Sequence, residues 1–164
     1  MAKKNTTDAT PSTPAPAAEK PREKHVGVSA QYVKDLSFES PRAPQSLTGT
    51  QGQPQIQVVV DVRATKVNAE QNIFEVTLAI AATAKTGEDA LFVMELAYAG
   101  LFTLAGIEAG AEMEQTLLIF CPSILFPFAR RILAETTRDG GFPPLMLDPI
   151  DFAQLYLKRQ QAAA

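Results

Sequence analysis

Apolar and polar residues alternate over residues 32–39, YVKDLSFE. Tyr32, Leu36 and Phe38 share one parity, and Val33, Asp35, Ser37 and Glu39 share the other. A two-residue period marks a strand with one face in water, so the pattern predicts a half-buried strand starting at Tyr32, with Asp35 and Glu39 on its wetter side. Pro41, Pro44, Gly49, Gly52 and Pro54 then predict a long connection over about 40–54. Residues 55–64 alternate again, with Ile56, Val58, Val60 and Val62 on one face. A polar turn at 68–72 leads to a third strand with Phe74, Val76, Leu78, Ile80 and Ala82 inward. A fourth, about 89–104, sets Phe92, Met94, Leu96 and Tyr98 against Leu91, Val93 and Glu95. Gly100 suggests a bulge or bend there. Turns this short make strands two to four an antiparallel meander.

Beyond Gly106 the period changes. Residues 112–120 look helical, and a second helix over about 123–138 has Ser123 as its N-cap and Gly140-Gly141 as its stop. Pro127 must lie in the first turn of that helix or kink it. A last helix starts at Asp148-Pro149 or at Asp151 and carries Phe152, Leu155 and Tyr156. Four strands followed by helices predict an α+β fold. The strands exceed the usual length and both layers have broad apolar faces, which suggests that another subunit completes the core. A single monomeric layer of sheet and helix is the alternative.

Residues 1–30 hold four prolines and no aromatic residue, and predict a flexible tail. The tail carries +2 of the chain's net charge of −3, leaving −5 for residues 31–164. That balance argues against nucleic acid as the main partner. The first 20 residues contain no apolar signal core, and no run of 18 apolar residues occurs, so neither a secretory leader nor membrane insertion is expected. A single cysteine, Cys121, fits a reducing, cytoplasmic setting.

Chemistry is scarce. One His, His25, and one Cys cannot assemble a nucleophilic triad or a Cys/His metal site. Phosphate-cradling glycine motifs are missing as well. No cofactor, no metal and no catalytic residue is expected, although a carboxylate-only enzyme stays open. Cys121, between Phe120 and Pro122, is expected to be a buried structural thiol.

Four segments carry a resemblance: YVKDLSFESPRAP (32–44), GLFTLAGIE (100–108), FCPSILFPFARR (120–131) and GGFPPLMLDPIDFAQLY (140–156). Together and in this order they resemble the SecB family of protein-export chaperones. The resemblance implies a SecB-like domain over 31–160, followed by a short flexible C-terminus at 161–164. It further implies a four-stranded antiparallel sheet with helices on one face, and four subunits assembled as a dimer of dimers. Similar proteins hold precursor proteins unfolded in the cytoplasm and deliver them to the motor SecA, without ATP of their own.

Carried over position by position, the family's SecA-docking patch falls on Asp35, Glu39, Val93 and Glu95. Parity independently sets these on the non-core side of their strands. The family's client grooves border the connection after strand one and the link between the last helices, which supply Leu47, Phe142, Leu145, Met146 and Leu147. The C-terminal LKRQQAAA lacks the acidic tail that the family often uses as a second SecA contact. Other readings are a chaperone of this fold dedicated to one partner, without an export role, and a carrier of small apolar ligands.

Overall fold

Val, Ile, Leu and Ala at every second position make 55–105 three long strands, and the computed structural model, which describes residues 23–49, 52–68 and 70–164, shows them as a meander. β1 (His25–Glu39), β2 (Gln55–Asn68), β3 (Ile73–Thr86) and β4 (Asp89–Ala105) form one antiparallel sheet in the order β1-β4-β3-β2, and a one-turn helix, α1 (Gln45–Thr48), lies in the connection between β1 and β2. Residues 1–22 of the expected tail lie outside the described residues. Strand structure starts seven residues before Tyr32, because His25, Val26, Gly27 and Val28 pair with 102–105 of β4. The tail boundary at residue 30 therefore does not hold.

The register also corrects one parity. β1 is bulged between Val28 and Ala30 and again between Val33 and Asp35. A bulge adds one residue to one strand and reverses the alternation. Leu36 and Phe38 face inward opposite Leu96 and Met94, but Val33 faces Tyr98 on that same side. Tyr32, opposite Ala99, turns outward. Gly100 marks no bulge. It is paired with both Gln31 and Val76, and a Cβ there would lie 2.8 Å from the Phe102 ring and 2.9 Å from Leu125 Cδ2. Overfilling such a contact costs about 1–3 kcal/mol. Gly100→Val is expected to lower the thermal midpoint accordingly, and an unchanged melt would show that the contact yields freely.

The inner face of the sheet is the core. Val76, Leu78, Ile80 and Ala82 of β3, with Met94, Leu96 and Phe102 of β4, have almost no exposed surface. They pack against one continuous helix, α2 (Ala111–Asp139), so the two helices expected over 112–120 and 123–138 are a single element. Ser123 is no N-cap; its hydroxyl donates back to the Phe120 carbonyl at 2.5 Å. Residues 116–120 form a π turn just before Cys121-Pro122, and Pro127 sits inside the helix. α2 buries Leu117, Cys121, Leu125, Ala129, Leu133 and Thr137. Burial pushes the Cys121 thiol up to about 12, so it stays protonated and unreactive.

After α2 the chain is tied down by Thr137, whose hydroxyl donates to the Leu133 carbonyl and accepts the Leu145 N–H, both at 2.9 Å. Of the two candidate starts for the last helix, Asp151 is the cap: its carboxylate accepts the Gln154 N–H at 3.0 Å. α3 (Phe152–Ala163) runs into the segment expected to be a flexible end.

Candidate functional site

Among the described residues no helix packs on the outer face of the sheet, which holds the acidic residues singled out in the sequence. Glu39 lies directly opposite Val93, Ser37 opposite Glu95, and Asp35 opposite Ala97. Opposed residues in an antiparallel pair have Cα atoms about 4.5–5.5 Å apart, and alternate residues along a strand lie about 7 Å apart. Asp35, Glu39, Val93 and Glu95 therefore share one patch on β1 and β4. Ala97, Ala79, Ala81 and Thr83 floor its flank, so the carboxylates stand above a low surface. Among the described residues, none of the three acids has a Lys, Arg or His nitrogen within 4.0 Å. Three unneutralised carboxylates beside one aliphatic side chain suit a basic segment that also offers an apolar contact.

Several of the other charges on this face are paired. Lys34, the extra residue of the second β1 bulge, donates to Glu75 Oε1 at 2.5 Å, and the Tyr32 hydroxyl donates to Glu75 Oε2. The Lys34 ammonium, and after it the Tyr32 hydroxyl, hold the Glu75 carboxyl below the usual carboxylate range. In return the Glu75 carboxylate raises Tyr32 to about 12. Asp61 meets Arg63 at 2.9 Å and Arg159 at 3.8 Å, at the far edge of the sheet. The Tyr32–Glu75–Lys34 cluster was not foreseen. Its trace in the sequence is a double exception: Val33 is apolar among the polar parity, and Lys34 polar among the apolar one.

The five proposed groove residues do not behave alike. Leu47 and Met146 are exposed, and Phe142 is half-buried. Leu47 overhangs Gly141, while Phe142 joins Phe38 and Phe92 in a ring cluster with centroids 5.1–6.3 Å apart. Leu145 and Leu147 are core residues, each 8% exposed. A cavity of about 350 Å³ opens elsewhere, between β2 and α3, lined by Val60, Val62, Leu118, Leu155 and Tyr156. Sequence reading passed over it because its walls come from three segments far apart in the chain. Among the described residues, no group of three His, Cys, Asp or Glu is placed to hold a metal ion.

The SecB family model, described as preprotein translocase subunit SecB, matches residues 19–163. The chain belongs to the SecB family. It is 55% identical over 136 residues to the protein-export protein SecB of Parvibaculum lavamentivorans, covering 83% of this chain and 79% of that one. To the protein-export protein SecB of Maricaulis maris it is 52% identical over 163 residues, covering 96% and 91%. Among solved structures it is similar to the Mycobacterium tuberculosis Rv1957 SecB-like chaperone in complex with a ChAD peptide from the Rv1956 HigA1 antitoxin. There the TM-score is 0.64 at 16% identity, over 76% of this chain and 90% of that chain, and the likeness is one of fold. SecB is a chaperone family of protein export, and the chain is a SecB-type export chaperone.

Proposed function

We propose that the chain holds precursor proteins unfolded in the cytoplasm and passes them to SecA through the outer sheet face, with Asp35, Glu39 and Glu95 as the charged contacts and Val93 as the apolar one. The observation that carries this reading is the convergence of those four residues, drawn from two strands distant in sequence, on one patch of that face. Clients bind elsewhere, along an apolar groove walled by Leu47, Phe142 and Met146 and backed by the buried Leu145 and Leu147. Separate surfaces allow a client to stay bound while the complex docks. Neither step calls for a cofactor or a bond made or broken.

The chain works as a homotetramer, a dimer of dimers. Support comes from the inner side of β1, where Val28, Val33 and Leu36 remain exposed although they face the same way as the core. Val33 lies opposite Tyr98, whose ring stacks on the exposed Phe128 of α2 with centroids 6.4 Å apart. Only 39% of the most apolar 18-residue stretch of α2 is buried within one copy. A second copy of the chain supplies the missing cover.

The test is the triple variant Asp35→Lys, Glu39→Lys, Glu95→Lys. SecA binding should fall at least tenfold by surface plasmon resonance, since like charges across a docking surface are costly and slow association. Holding of a reduced, unfolded precursor should survive. Normal SecA binding would show the patch to be misassigned, and parallel loss of the client would show that the two surfaces are not separate.

A further inference from the structure

Lys34 poses a problem for an acidic docking patch, because it is adjacent to Asp35 and shares the outer face with it. A free ammonium there would offset one of three carboxylates. The β1 bulge does not turn Lys34 away; it swings the side chain sideways across β4 to Glu75 on β3. The reach is possible because the β4 residues in between are small: Ala97 lies opposite Asp35 and Ala99 opposite Tyr32. Glu75 is only 18% exposed in its side chain, whereas Lys34 is 50% exposed. The acid is thus the fixed partner, held also by the Tyr32 hydroxyl, and the lysine is the captured one.

We propose that Glu75 is a positioning residue of the docking surface: it captures Lys34 away from Asp35, so that the patch presents its full negative charge to a basic partner segment. Glu75 need not touch the partner. It acts through Lys34, and Tyr32 keeps its carboxylate aimed. The depressed Glu75 carboxyl means that the pair stays ionised at neutral pH. This inference rests on the reading of the patch as a SecA-docking surface.

The test compares SecA binding by four full-length proteins at low and at raised ionic strength: the natural chain, Glu75→Gln, the double variant Lys34→Gln with Glu75→Gln, and the triple acid variant. Glu75→Gln should weaken binding about three- to tenfold at low salt, the effect of one uncompensated charge some 6 Å from its neighbours in a mostly aqueous setting. The difference should shrink in raised salt, where such interactions are screened. The double variant should return to within about twofold of the natural chain, which a merely structural role for Glu75 would not allow. Carbon-13 tyrosine NMR gives a second readout, since Tyr32 should titrate near its ordinary value once Glu75 is Gln.

If the triple acid variant loses SecA and Glu75→Gln does not, Glu75 has no part in docking and the inference fails alone. A double variant as weak as the single one likewise overturns it. Should the triple variant itself bind normally, the reading of the patch fails, and the inference with it.

Discussion

A chain carrying Val33→Asp and Phe128→Asp is expected to fold and to lose its assembly. Within one copy Val33 is 46% exposed and Phe128 45%, so neither substitution empties the core, and the single-chain fold should keep its circular dichroism spectrum. In the proposed tetramer these positions are covered. Each copy then buries carboxylates without partners, and removing a charge from water unpaired costs several kcal/mol. Symmetry multiplies the effect, because a substitution in a two-fold interface appears on both sides of it. Native mass spectrometry should show one or two chains in place of four. A variant that keeps the four-chain mass would place the subunit interface elsewhere and leave the exposed side of β1 without its explanation.

The second large effect concerns client length. One large apolar side chain entering the groove contributes roughly 1.5–3 kcal/mol before the cost of ordering the client, so a single segment binds weakly. Several equivalent grooves on the proposed tetramer would let a long unfolded chain occupy them together, and such linkage raises affinity about 10²–10⁴-fold without any new kind of contact. A slowly folding precursor should therefore bind tightly, its fragments of about 15–20 residues at least two orders of magnitude more weakly, and its native form not at all. Titration calorimetry on one client in these three forms is the measurement. Equal affinity for one fragment and the full chain would reveal a sequence-reading pocket and end the holding mechanism. The assembly variant links the two predictions, because a single copy should bind the full precursor no better than a fragment.

How far the sequence could be read depended on whether its periods ran unbroken. β2 and β3 alternate without interruption over the residues that form the core, and their faces were legible residue by residue. β1 was legible only from Asp35 onward, since a bulge is a change of count and not of composition. Val33 and Lys34 carried that information as apparent exceptions. In α2, Pro122 and Pro127 resemble breakers, since each lacks an N–H to donate and its ring crowds the carbonyl four residues back, yet packing of the apolar stripe on β3 and β4 carries the helix through both. The acids proposed for docking stand out because parity and family motif agree on them. Glu75 does not, because its partners lie two strands away across β4, and only the pairing register brings them together.

The π turn at Thr116–Phe120 constrains how the chain can vary. Along α2 the residues at 113, 117, 121, 125, 129, 133 and 137 recur every fourth position, and all but the half-buried Met113 are buried. On a regular α-helix each residue turns about 100°, so a four-residue spacing overshoots a full turn by about 40° and the stripe would wind around the helix. One π turn inserts a residue and sets the phase back by roughly 100°, which keeps both halves of the stripe aimed at the same layer. Number of residues, more than their identity, is therefore the guarded property of 116–120. Removing one residue of 118–120 would rotate Met113 and Leu117 away from β2 and α3 while leaving Leu125 and Leu133 seated, a fault that no choice of side chain nearby could repair.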